Sequence, residues 1–304
     1  MSASGLSIVL PVAAYDPGNV LPYKLIDPVM PDVNTLGALW LFDPLHPLGN
    51  FTGVPANGGA IPNVAAAQAA TMTGQSAGSL QGVWEEQQSA SNSITFARSA
   101  QGGLYILPSQ TNNVSGDHGA IRASNAIKTY LLNNPTHSFY FSLWATTERN
   151  IITSGNAAPM SPAHVANSSS STSNLLFHLQ DFQISGSLQG GGQGFADRPN
   201  PTPVVGTPQF INCAQDAWEG TVPANIGAMS VCLAGAGSFD AWSGFNVNKA
   251  AAAIFYRSYI EDLTVSGRSY AQVDALDYAY FTKCFSAGGK FYGDTASPTP
   301  GSFG

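Results

Sequence analysis

The run Ser138-Phe-Tyr-Phe-Ser-Leu-Trp-Ala145 constrains this chain more than any other segment. Side chains of an extended strand alternate between its two faces. Phe139, Phe141 and Leu143 therefore share one face, and Tyr140, Ser142 and Trp144 share the other. Such a segment reads as an interior strand and needs partner strands. Candidates recur at 36–43, 93–98, 103–107, 204–211, 227–234 and 252–265, with a pair at 175–179 and 182–188. Between them lie stretches rich in Gly, Pro and Asn, which punctuate strands with turns. Residues 65–70 read as a weak helix and 121–132 as a short helix or strand. Residues 154–174 and 190–203 read as long irregular loops. Only the C-terminal part has helix grammar. Ser269-Tyr-Ala-Gln272 fits a capping box, Val273, Leu276 and Tyr280 follow at helical spacing, and Gly288-Gly289 can end the helix in the left-handed conformation. Many strands with one such helix leave no room for a regular βαβ repeat and predict an all-β antiparallel sandwich.

Composition supports this reading and removes several functions. Charged residues make up 10% of the 304, against roughly a quarter in ordinary soluble domains. The hydrophobic fraction of 44% rules out a disordered chain. A surface with so few charges suits a protein packed against neighbours, other copies of itself among them. Net charge is −7, and the 11 Lys and Arg are scattered, so no basic stripe exists to displace the counterions of a nucleic acid or to hold an anionic membrane. No apolar run reaches the roughly 18 residues of a membrane span. The first basic residue is Lys24, so no secretory leader is expected. Cys213, Cys232 and Cys284 show no metal or redox spacing and read as reduced, buried thiols, with a Cys213–Cys232 bridge left open. Residues 1–35, rich in Pro and apolar side chains without helical period, read as an extended N-terminal arm. Residues 36–294 read as the domain and 295–304 as a tail.

Three segments, in order, resemble the laminin-G-like, concanavalin A-like lectin domains. Leu39-Trp-Leu-Phe-Asp43 followed by Asn57-Gly-Gly-Ala-Ile-Pro-Asn63 looks like the family's opening strand and insertion loop. Phe139-Tyr-Phe-Ser-Leu-Trp144 is similar to its aromatic middle strand. Ile260-Glu-Asp-Leu-Thr-Val-Ser-Gly-Arg-Ser-Tyr-Ala-Gln-Val273 is similar to its closing strand, turn and helix. Ile260 and Leu263 fall on opposite parity there, which a bulge at Glu261–Asp262 would reconcile. The resemblance implies an antiparallel jelly-roll β-sandwich with an extended N-terminal arm and a short C-terminal helix. The wording of the closing segment, together with the low charge, is similar to lectin-like proteins of tailed bacteriophage virions. It implies a structural protein assembled in the host cytoplasm among other virion proteins, as a tail, baseplate or fibre component or a capsid decoration protein, with host-surface polysaccharide as a ligand.

Catalytic grammar is sparse. Retaining glycosidases need two carboxyls about 5 Å apart, on alternate residues in sandwich glucanases, whereas Glu85-Glu86 and Glu261-Asp262 are adjacent and would face opposite ways on a regular strand. Glu261-Asp262 is expected to hold the final turn against Arg268 or Arg257. Gly74-Gln-Ser-Ala-Gly78 matches a nucleophile elbow in letters, without the strand that must precede the serine. The histidines His46, His118, His137, His164 and His178 form no local pair and read as surface or loop residues. Nothing brings Asp181, Asp197 and Asp240 together, so no metal and no cofactor is assigned. The chain reads as a binding module rather than an enzyme, with a polysaccharide-degrading enzyme on the same scaffold as the alternative. Exposed aromatic rings stack on sugar C–H faces. The ligand candidates are accordingly Trp242 with its neighbour Asp240, and Trp144 with Tyr140, the opposing reading being that these rings pack a core or a subunit interface.

Overall fold

The computed structural model describes residues 27–31, 35–152, 162–168, 175–179, 204–218, 220–238, 240, 244 and 246–304. Most of the predicted arm, the strand at 182–188, the 190–203 loop and Trp242 lie outside them. The aromatic run forms β7 (Phe139–Arg149), 11 residues long and longer than its sequence signal. It pairs with β10 (Pro208–Gln215) on one side and with β12 (Ala252–Asp262) on the other, both antiparallel. The far edge of β12 is shared by β1 (Ala38–Phe42), next to residues 258–261, and β5 (Leu104–Pro108), next to 253–255. Strand β4 (Ile94–Arg98) closes this sheet beside β5. A second antiparallel sheet runs in the order β2 (Ala60–Ile61), β3 (Gly82–Gln87), β6 (His118–Arg122), β11 (Met229–Gly237), β8 (Ala163–Asn167) and β9 (Leu175–Leu179).

The alternation predicted for β7 decides how the layers stack. Phe139, Phe141 and Leu143 join Trp40, Phe42, Phe255 and Ile260 of the first sheet and Trp84, Val231 and Leu233 of the second in one core between the sheets. The opposite face of the first sheet is covered as well. There Trp144, Tyr105, Ile254 and Tyr256 meet Tyr280, Phe281 and Phe285 of α4 (Tyr270–Phe285) and Phe291 beyond it. Both bonds of the Ser269–Gln272 capping box are made. The helix stops at Phe285 with Ser286 extended, ahead of Gly288-Gly289, which form a turn of their own.

Several expectations are corrected. The bulge in β12 falls at Tyr256, between Phe255 and Arg257, rather than at Glu261–Asp262. The parity change at Leu263 arises because the strand ends there: the Asp262 side chain accepts from Val265 N at 3.0 Å and caps the short α3 (Leu263–Ser266). Residues 121–132 divide into the end of β6 and α2 (Asn125–Asn133). Strand β8 forms inside the stretch read as loop. The weak helix is present as α1 (Ala66–Thr73), so a helix rather than a strand precedes Ser76. All three cysteines are buried and unbridged. His46, His118 and His164 are buried rather than superficial: His46 lies in the turn after β1, as a loop residue, while His118 and His164 belong to β6 and β8.

Candidate functional site

Trp144 and Tyr140 point away from the inter-sheet core, as the alternation requires, but α4 lies over both and neither is exposed. The Trp144 ring meets Tyr280, Phe281 and Phe285 edge-on at 5.6, 5.5 and 6.4 Å. Tyr140 Oη donates to Asp277 Oδ2 at 3.0 Å. These rings pack the helix, and no sugar face reaches them in this arrangement. Beside Trp144, at 5.0 Å from its ring, lies the guanidinium of Arg257. Both of its terminal nitrogens pair with Asp27 at 2.7 Å, with Asp43 and Asp277 at 3.7 and 3.6 Å. All four side chains are fully buried. Burial alone would raise the Asp27 carboxyl, yet Arg257 holds it below its ordinary range. Burial lifts Asp277 to about 6 despite Arg257. This cluster ties the end of the predicted arm to β12. Glu261 meets Arg268 Nε at 2.8 Å, as expected of the final turn.

Asp240 lies at the other side of the molecule, among side chains that the second sheet gathers on its outer face. On β3 the Trp84 side chain turns into the core, so its neighbour Glu85 must turn outward. Glu85 sits opposite Ala120 of β6, with Arg122 and His118 one step to either side on the same face. Both reach Glu85 Oε1: His118 Nε2 at 2.8 Å, Arg122 Nε at 3.0 Å and Arg122 Nη2 at 2.8 Å. The next strand, β11, ends in the turn that holds Asp240 with φ of 53°, a left-handed conformation that Asp tolerates better than most residues. Its carboxylate accepts from Arg122 Nη1 at 2.6 Å and Nη2 at 3.0 Å, and from Ser230 Oγ at 3.1 Å. His164 of β8 stands 3.1 Å from the same carboxylate.

The result is a row, His118–Glu85–Arg122–Asp240–His164, laid across β3, β6, the turn after β11, and β8. Exposure differs along it. Glu85 is 45% exposed and Asp240 22%, whereas His164 is wholly buried. Ala120 and Gly235 face each other at its centre, and a Cβ at 235 would stand 3.0 Å from that of Ala120. The row therefore rises beside a floor of small residues. His118 presents Nδ1 to Gly116 O at 2.6 Å and Nε2 to Glu85, so both ring nitrogens face acceptors. The hydrogen bond from His118, then Arg122, holds Glu85 down to about 2 against its burial. Burial opposes ionisation of Asp240 too, but His164 and Arg122 keep it well below the usual carboxylate range. Two carboxylates bound to one guanidinium nitrogen lie close enough to suggest glycosidase chemistry. A retaining pair, however, needs one carboxyl raised to act as an acid, and both are lowered here.

Among the described residues no group of three or more His, Cys, Asp and Glu is placed to hold a metal ion; Asp181 and Asp197 lie outside them. Sequence reading singled out Asp240 and discounted Glu85, and missed His118, Arg122 and His164 as partners. The available signal was His118-x-Ala-x-Arg122, two polar residues on one face of a strand, but β3 and β8 were not in view. No protein-family model matches the chain, and no curated protein matches it. Fold and site together define a class: an antiparallel two-sheet β protein with one face sealed by a helix and one face carrying an ordered polar row.

Proposed function

We propose that this chain is a lectin-like structural subunit of a bacteriophage particle, a jelly roll of the concanavalin A-like kind placed in the tail, baseplate or fibres. It is held by other virion proteins and other copies of itself, and it contacts host-surface glycan through the outer face of its second sheet. The observation that carries the glycan contact is the row centred on Arg122. Its donors and acceptors are locked by one another before any ligand arrives, and Glu85 and Asp240 at its surface are ionised acceptors for sugar hydroxyls. Trp242, two residues after Asp240 in sequence, remains the ring proposed to stack on the sugar. In support of the jelly roll stand two antiparallel sheets whose neighbours are mostly distant in sequence.

The test is binding of purified host capsular or cell-wall polysaccharide to the full chain. Saturable binding that falls at least tenfold in Glu85→Ala and Asp240→Ala supports the reading; absence of binding to any host polysaccharide overturns it. Steady release of reducing ends, abolished by Glu85→Gln, would replace it with a polysaccharide-degrading enzyme. Attachment to the particle is tested separately by deleting residues 2–26 and measuring incorporation. The cut stops there because Asp27 pairs with Arg257, so a longer deletion would confuse anchoring with folding.

A further inference from the structure

A cleft of about 720 Å³ opens between α2 and the turn that follows α1, and none of the five residues of the polar row lines it. One wall is a helical stripe. Asn125, Thr129 and Asn133 recur every fourth residue on the exposed face of α2, while Ile127 and Leu131 bury the other face. The facing wall is Thr73, Gln75 and Ser79, where Gly74 in the left-handed conformation ends α1 and turns the chain. His137 and Val265 line it as well.

The His137 ring is held from behind. Its Nδ1 lies 2.6 Å from Asp262 Oδ2, and the same oxygen accepts from Tyr130 Oη at 2.8 Å. Asp262 is fully buried, and its other oxygen caps α3. One inaccessible carboxylate thus orients two side chains of the cleft wall. Because Nδ1 is committed to Asp262, Nε2 is the ring nitrogen left to serve a ligand.

The chemistry of the lining selects among ligands. Amide and hydroxyl groups, each both donor and acceptor, dominate it, and no Lys, Arg, Asp or Glu is among its residues. A phosphate or carboxylate would find no counter-charge there. A neutral polyhydroxylated molecule would find paired donors and acceptors, with Met72, Ala126 and Val265 as apolar surface for its C–H faces. The volume lies within the roughly 300–1,000 Å³ of small-ligand clefts. We infer that this cleft is a binding site for a neutral saccharide, with the Asn125–Thr129–Asn133 stripe and His137 Nε2 as its polar contacts and Asp262 as the positioning residue. It is independent of the sheet-face reading and stands or falls separately.

The full chain is titrated with neutral trisaccharides (maltotriose, cellotriose and triacetylchitotriose), with sialyllactose as the acidic control. The readout is the long-range ¹H–¹⁵N spectrum of the histidine rings. At least one neutral probe is expected to move the His137 Nε2 resonance saturably, more tightly than sialyllactose, and with the same affinity in Glu85→Ala. Thr129→Val and Asn133→Ala, both at exposed positions of α2, are expected to weaken that binding at least tenfold each. The inference is overturned if no neutral probe moves His137, if the acidic control binds best, or if the Thr129→Val/Asn133→Ala double variant binds as the parent does. Loss in Glu85→Ala with retention in the double variant would assign the sugar to the sheet face alone.

Discussion

Replacing Asp27 by Ala tests how firmly the segment before β1 is fixed. The change removes both oxygens that meet Arg257 at 2.7 Å, in a place where neither side chain touches solvent. Breaking a buried ion pair from one side costs about 3–5 kcal/mol, chiefly because the surviving charge is left unpaired. Here the guanidinium keeps Asp43 at 3.7 Å and Asp277 at 3.6 Å, which offset part of that penalty. The Val29 amide also loses its 2.9 Å bond to Asp27 Oδ1. The expected loss is therefore near the lower bound, about 3 kcal/mol, or roughly a hundredfold in the folding equilibrium. Asp27→Asn, which keeps one acceptor, loses less. Arg257→Met loses more, because it strands Asp27, Asp43 and Asp277 together with only Lys290 against Asp43. Urea denaturation followed by tryptophan fluorescence measures all three. A loss below about 1 kcal/mol for Asp27→Ala, or a reversal of the order, would refute the reasoning.

Three further outcomes are expected. The Asp277 carboxyl, lifted to about 6 from 3.8 chiefly by burial, keeps its proton in the folded chain while the unfolded chain has released it. Stability contributed at this site is therefore present below about pH 4 and lost as pH rises to about 6, by about 3 kcal/mol at roughly 1.4 per unit; Asp277→Asn removes that slope from urea midpoints compared between pH 4 and 7. Gly119→Ala places a Cβ 2.4 Å from Phe96 Cε1 and 2.9 Å from Trp84 Cη2, so a loss of about 1–3 kcal/mol in thermal melts is expected, and an unchanged melt contradicts the packing. Burial pushes the Cys213 and Cys232 thiols up to about 12 and Cys284 to about 11; a thiol reagent should find almost none of them in the native protein and all three after denaturation, whereas a missing thiol would indicate a bridge.

The elements legible in the sequence were those whose alternation is strong or whose ends carry turn grammar: β1, β4, β5, β7, β9, β11, β12 and the capped start of α4, with β10 found a few residues beyond its expected place at 204–211. Those missed had weak local signals. Strand β3 carries adjacent carboxylates, of which Glu86 turns back to accept from Trp84 Nε1 at 2.8 Å. Strand β2 has two residues, and β8 lies in a Ser- and Asn-rich stretch. The same limit explains the site. Asp240 could be named as a candidate, but its partner Arg122 lies 118 residues away and Glu85 a further 37, and only strand pairing brings them together. Trp144 and Tyr140 carried the right chemistry on the right face. Which face of a sheet a later helix will cover is not written in the strand itself.

Strand β12 carries Arg257, Glu261 and Asp262, each bound to a different partner: Asp27, Arg268 and His137. Because strand side chains change face at every residue, sliding β12 by a single position would drive Arg257 toward Phe255, Ile260 and the other hydrocarbon between the sheets, and would separate all three pairs at once. Hydrophobic residues occupy both faces of this strand and discriminate poorly between such alignments. The charges do discriminate. They act as the notches of a key, adding little net strength to the correct alignment while making every neighbouring one prohibitively expensive.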